Sequence, residues 1–160
     1  MNDTIVKCIE PYRDVPGGLL PLLHAVQRTL GHIPAKAVPV IAHALGLSRA
    51  EVHGVISFYQ DFRTAPAGRH LLQICRAEAC QAMGSRMLEA HARARLGIDY
   101  GETTADGAIT LEPVYCLGNC ACSPSVRIDD EIHARVDASR LDALLAALSA
   151  QADGAVGDGT

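Results

Sequence analysis

Apolar residues recur at helical spacing as far as Phe62 and at strand spacing soon after it. Leu19, Leu22, Leu23, Val26 and Leu30 fall three and four apart, which is one face of a helix. Gly31 supplies a left-handed stop, and Pro34 follows. A second helix carries Val38, Ile41, Ala42 and Leu45 and ends at Gly46. Pro39 constrains its start, because proline is tolerated only in a first turn. Ser48 and Glu51 have the spacing of a capping box ahead of a third helix, and Leu47 and Val52 are placed to form a hydrophobic staple. Val52, Val55, Ile56, Tyr59 and Phe62 continue its expected buried face. Helices this short are marginal alone, so their apolar faces must pack on one another.

The pattern changes across residues 64–68, which include Pro66. His70–Cys75, HLLQIC, reads as a short strand. Residues 84–96 have helical character and Gly97 closes them. Residues 108–116 read as a second strand. Residues 125–128 and 132–136 form an expected hairpin around Asp129, Asp130 and Glu131. Leu141, Leu144, Leu145 and Leu148 mark a last helix, and the Gly/Ala/Asp-rich residues 151–160 read as a flexible tail. The order strand, helix, strand, strand, strand, helix packs helices on a small mixed sheet. The expected class is α+β. A helical module occupies residues 1–66, an α/β domain residues 67–150, and the tail residues 151–160. No internal repeat at a fixed period is visible.

Composition narrows the function classes. A chain of 160 residues, 49% hydrophobic, can bury about 70% of the surface its unfolded form exposes, enough for one ordinary core or two small ones. The net charge of −4 and the absence of Trp argue against a nucleic-acid partner, which favours a basic face and stacking aromatics. The first ten residues do not read as a signal peptide, and no apolar run approaches membrane-spanning length. A cytoplasmic protein with no membrane span is expected. In that compartment structural disulfides are rare, so the six cysteines need another explanation. Clustered cysteines there bind metal or carry redox chemistry, whereas isolated ones pack as small hydrophobes.

Four cysteines form two close pairs. Cys75 and Cys80 are separated by four residues, Cys116 and Cys120 by three, and thirty-five residues lie between the pairs. Each pair begins where an expected strand ends. Two strand ends on one edge of a sheet would set two short loops side by side and gather four sulfurs. The C-x-x-C spacing of dithiol exchange is absent. A Rieske centre needs two His ligands, and the histidines at 24, 32, 43, 53, 70, 91 and 133 lie outside both loops. Plant-type ferredoxin spacing is absent as well. Four thiolates suit structural zinc as readily as iron, so on spacing alone a zinc-stapled interaction domain and an iron–sulfur protein stand level.

The flanking residues separate the two. CRAEACQAMG, from Cys75 to Gly84, and CLGNCACSP, from Cys116 to Pro124, resemble the thioredoxin-like [2Fe-2S] family. GGLLPLLHAVQRTLGHIP and LGLSRAEVHGVISFYQDF extend the likeness through the helical half. That family includes the 24-kDa-type subunit of respiratory complex I and its counterparts in NAD-linked hydrogenases and formate dehydrogenases. CRAEACQ and NCACSP are most similar to the gamma subunit of soluble NAD-dependent formate dehydrogenases.

The resemblance implies one [2Fe-2S] cluster with Cys75, Cys80, Cys116 and Cys120 as ligands. It implies a helical bundle followed by a thioredoxin-like domain. It further implies an NADH-binding flavoprotein partner carrying FMN and a catalytic formate-oxidising subunit, with a complex I or hydrogenase assembly as the alternative. Cys122 and Cys8 read as non-ligand thiols. No nucleotide-binding glycine motif and no nucleophile–base pair stands out, so electron transfer is expected of this chain and no catalytic residue is identified. Two ferric ions, two sulfides and four thiolates sum to −2, and reduction makes the centre −3. Backbone N–H groups around Gly84, Gly118 and Asn119 are the expected donors to the sulfurs, and Arg76 either offsets charge or points to solvent.

Overall fold

The computed structural model describes residues 2–154, with side chains from 3 to 149. It separates into two units, Met1–Ala67 and Gly68–Thr160. The first holds α1 (Asn2–Ile9), a 3-10 turn at Glu10–Tyr12, α2 (Leu19–Leu30), α3 (Ala37–Leu45) and α4 (Arg49–Phe58). Ile5 and Ile9, one turn apart on α1, are buried with Leu22, Leu23, Val26, Ile41 and Val52. Ile5, Cys8 and Ile9 have helical spacing, but over eight residues the run is too short to mark α1 by period alone.

Gly31 and Gly46 end α2 and α3 at φ 76° and 66°. Pro39 is the third residue of α3, where a backbone N–H has no intrahelical acceptor in any case. The capping box forms as expected. The Glu51 amide donates to Ser48 Oγ at 3.1 Å, and the Ser48 amide donates to Glu51 Oε2 at 2.8 Å. One expectation fails here: α4 stops at Phe58, and Tyr59 turns extended and lies 42% exposed. Phe62 is still buried, but through a loop. The buried Gln27 side chain donates to the Asp61 carbonyl at 2.6 Å and accepts the Arg63 amide at 2.7 Å. A side chain on α2 thus satisfies backbone that the helix would otherwise have had to pair.

The second unit runs β1 (His70–Cys75), α5 (Glu78–Ala82), α6 (Ser85–Leu96), β2 (Ile109–Val114), a 3-10 turn at Cys120–Cys122, β3 (Val126–Ile128), β4 (Glu131–His133) and α7 (Ala138–Gly154). The sheet order is β2-β1-β3-β4. β1 and β2 are parallel, and the other two pairs are antiparallel. Pro113 is accommodated because β2 is an edge strand. Leu72 stands opposite Leu111 and Ile128, so these side chains share one face. Leu88 and Ala92 of α6 and Leu141 and Leu145 of α7 join them in the core. On β1, Gln73 alternates with these residues and lies opposite Glu112 and Arg127. It donates to Glu112 Oε2 at 3.2 Å and accepts from Arg127 Nε at 2.7 Å, a polar row across three strands.

α7 extends to Gly154, four residues into the segment expected as a tail, and 155–160 lie outside the described residues. Among the described residues no helix is long and apolar enough to cross a membrane.

Candidate metal centre

Parallel pairing of β1 with β2 sends both strand ends to the same edge of the sheet. Cys75 is the last residue of β1 and stands opposite Val114, the last of β2. Cys116 comes two residues later, so the two cysteine loops leave the sheet side by side. The ladder runs one step further, since the Arg76 amide donates to the Val114 carbonyl at 2.8 Å. The first loop turns at Ala77 into α5, which carries Cys80. Two bonds anchor its start: Ser85 Oγ donates to the Cys75 carbonyl at 2.6 Å, and the Cys75 amide donates to the Ser125 carbonyl at 3.1 Å.

In the second loop Gly118 adopts φ 74°. Its amide donates to Cys116 Sγ at 3.3 Å. The left-handed turn lets the chain fold back over its own sulfur. Cys116 Sγ and Cys120 Sγ are 3.8 Å apart. Asn119 Nδ2 donates to Ser125 Oγ at 3.1 Å, and Ser123 Oγ donates to the Cys120 carbonyl at 2.8 Å. Cys75 and Cys80 are buried, whereas Cys116 and Cys120 are exposed. The site therefore has a buried half and a solvent-facing half.

The sulfurs sense one another. Burial pushes the Cys75 thiol up, and the opposing amides of Ala77 and Leu117 do not overcome it; neighbouring Cys80 adds to the rise. Burial also works against the Cys80 thiolate. The Ser123 hydroxyl, the Ser125 amide and Cys75 outweigh it and hold Cys80 below the ordinary thiol value. Cys116 raises Cys120, helped by burial and by the charge of Cys80 across the gap between loops. The Gly118 amide donates to sulfur directly. The amides of Ala77, Leu117 and Ser125 favour the thiolates of Cys75 and Cys80, and the Cys80 thiol itself donates to Ser123 Oγ at 3.4 Å. Of the three expected positions, Gly118 is among them. Gly84 is not: its amide donates to the Gln81 carbonyl at 3.1 Å, and the residue caps α6 at φ 96°. Asn119 is not among them either, its side-chain amide donating to Ser125 Oγ at 3.1 Å. Backbone donors such as Ala77 and Leu117 leave no side-chain signature, whereas the two serines flanking Pro124 were a visible signal beside the second cysteine pair.

Arg76 turns away from both expected roles. Its Nε lies 3.0 Å from Glu89 Oε1, and the guanidinium rests 5.3 Å from the centre of the Tyr100 ring. Burial opposes its charge, but Glu89 more than compensates and lifts the Arg76 pKa above its ordinary value. Glu89 is almost buried, so the Arg76 charge is spent on a local pair. Cys122 is half-buried, and its carbonyl accepts from the Arg135 amide at 2.8 Å and from Ser125 Oγ at 3.3 Å. Cys8 sits in the other unit, its thiol 3.7 Å from Thr29 Oγ1. His70 and His91 pair with Asp129 and Asp142 at 2.8 and 3.0 Å.

The cysteines are arranged as two pairs, and four thiolates suit a [2Fe-2S] cluster. Beside it runs a groove of about 910 Å3, lined by Met83, Met87, Ala121, Ser123, Pro124 and Val136 among others.

Comparison with known proteins agrees with this chemistry. Residues 5–149 match the model of the thioredoxin-like [2Fe-2S] ferredoxin family. A subunit of the NADH-quinone oxidoreductase of Rhizobium meliloti (strain 1021) is 40% identical over 145 residues, covering 91% of this chain and 86% of the relative. The corresponding NADH-quinone oxidoreductase subunit of Escherichia coli (strain K12) is 35% identical over 134 residues, covering 84% and 81%. Among solved structures, NAD+-reducing [NiFe]-hydrogenase in the H2-reduced state superposes with a TM-score of 0.70 at 28% identity over 84% of this chain. This chain spans only 22% of that hydrogenase chain. The protein belongs to the thioredoxin-like [2Fe-2S] ferredoxin family, and one [2Fe-2S] cluster is its cofactor.

Proposed function

We propose that this family member relays single electrons between an NAD(H)-binding flavoprotein and the rest of a cytoplasmic oxidoreductase complex, through a cluster held by Cys75, Cys80, Cys116 and Cys120. The observation that carries the reading is that the two cysteine loops leave the ends of adjacent parallel strands side by side, in a chain of this family. When bound, the cluster supplies one-electron storage. The chain's own contribution is to hold four thiolates and to surround them with amide and hydroxyl donors, which offset negative charge on sulfur. Cys75 and Cys80 anchor the buried side. Cys116 and Cys120 form the exposed edge, where a partner can approach closely. FMN and NAD belong to the flavoprotein in this reading.

The parent complex is proposed to be an NAD-dependent formate dehydrogenase with a separate formate-oxidising subunit. CRAEACQ and NCACSP support that choice. The second reading, a subunit of an NADH:quinone oxidoreductase, is supported by the names of the relatives at 40% and 35% identity. Both readings share the cluster and its ligands. Isolation of the native complex tests them. Reduction of the cluster by both NADH and formate, with a formate-oxidising subunit co-purifying, is expected. Co-purification of membrane quinone-reductase subunits without formate reduction would transfer the chain to the second reading. A colourless protein with one zinc per chain would overturn both.

A further inference from the structure

The buried serine beside Cys80 is not one of the proposed ligands, yet it touches one. Ser123 lies 7% exposed, its Oγ 3.4 Å from Cys80 Sγ and 2.8 Å from the Cys120 carbonyl. With Cys80 as a free thiol, the sulfur donates to Ser123 Oγ and the hydroxyl proton goes to the Cys120 carbonyl. A metal-bound Cys80 has no proton to give. The contact with sulfur then survives only if the hydroxyl turns and donates, and a charged sulfur is the stronger acceptor of the two. We propose that Ser123 is a potential-setting residue, whose hydroxyl donates to the Cys80 thiolate and favours the reduced form of the centre.

The reason is electrostatic. Reduction adds one electron, supplied by the flavoprotein or by a chemical reductant, and part of the added charge falls on the ligand sulfurs. A hydrogen bond to sulfur is stronger in the more negative state, so it raises the reduction potential. A purely structural serine would behave differently. Its bond to the Cys120 carbonyl closes the turn at Cys120–Cys122 equally in both redox states, and losing it would leave the potential where it was. The residue also borders the open groove.

This inference rests on Cys80 being a ligand. The test is a potentiometric titration, followed by EPR, of the full-length protein carrying Ser123→Ala, Ser123→Val or Ser123→Thr. Iron and sulfide are quantified in each. Failure of the ligand assignment would show separately, as a Cys80→Ser variant that keeps its full iron and sulfide. Given a loaded wild type, Ala and Val should shift the potential to more negative values, and Thr, which keeps the hydroxyl in the shape of Val, should stay near wild type. Loaded Ala and Val variants with unshifted potentials would overturn the proposal. Loss of the cluster from both hydroxyl-free variants while Thr retains it would also overturn it, because the hydroxyl would then serve assembly.

Discussion

The two units bury different things. In the helical unit the described buried residues are apolar apart from Gln27, which clips the 61–63 loop to α2. In the α/β unit Gln73, Ser85, Glu89, Thr110, Ser123 and Ser125 are all buried. Ser85, Ser123 and Ser125 bond to the cysteine loops, and Glu89 holds the arginine next to Cys75. A buried polar group costs free energy unless it is paired, so a unit that collects several of them, all bonded, is organised around something other than packing. The helical unit is a packing object, and the α/β unit is a packing object built around a site.

Replacing thiolates should break this contrast most severely. Cys75→Ser, Cys80→Ser, Cys116→Ser and Cys120→Ser should each lose most of the iron and sulfide, because a hydroxyl is a poor ligand for iron. Cys122→Ser and Cys8→Ser should keep full metal content, as measured by chemical analysis and visible absorption. Retention by Cys120→Ser together with loss by Cys122→Ser would relocate the second ligand pair.

Core truncation is next in size and distinguishes the units. Leu23→Ala and Leu72→Ala each remove a fully buried side chain and should each cost about 2–5 kcal/mol. Denaturant unfolding followed by both far-UV circular dichroism and cluster absorbance should separate them. Leu72→Ala should release the cluster at lower denaturant, whereas Leu23→Ala should shift the helical signal first. Equal shifts in both signals for Leu23→Ala would mean that the units unfold as one.

Smaller effects follow from the polar contacts. Glu89→Ala strands Arg76 beside Tyr100 and should cost about 1–3 kcal/mol in the unfolding free energy. Ser48→Ala in the helical unit should cost about 1 kcal/mol with cluster content unchanged. The same cap predicts a pH dependence. Hydrogen bonds from the Ser48 amide and hydroxyl hold the Glu51 carboxyl below the usual range. Its contribution is therefore present above the unfolded-state pKa and is lost as pH falls through the folded-state pKa. The stability difference between wild type and Glu51→Gln should shrink on acidification through the carboxylate range, and a difference that grew would contradict the cap.

Periodicity and spacing alone determined a good deal. Leu19 to Leu30 repeat with a helical period, and Gly31 can take the left-handed turn that ends them, so α2 was legible residue by residue. HLLQIC matched β1, and Ser48 with Glu51 marked the start of α4, because these are local rules with local partners. The family motifs singled out four of six cysteines as the proposed ligands. Tertiary structure decided the rest. Tyr59 sits on an apolar repeat yet is exposed, because Gln27, thirty-two positions earlier in the chain, pairs the loop that follows and ends the helix. Arg76 is next to Cys75 in sequence yet faces Glu89, thirteen residues on. Gly84 spends its amide on Gln81, while Gly118 turns its own to the Cys116 sulfur. Local propensity and motif spacing depend on neighbours along the chain. The partner of an amide, a guanidinium or a buried hydroxyl depends on which strand ends the sheet brings together, and that is settled only when β1 pairs parallel to β2.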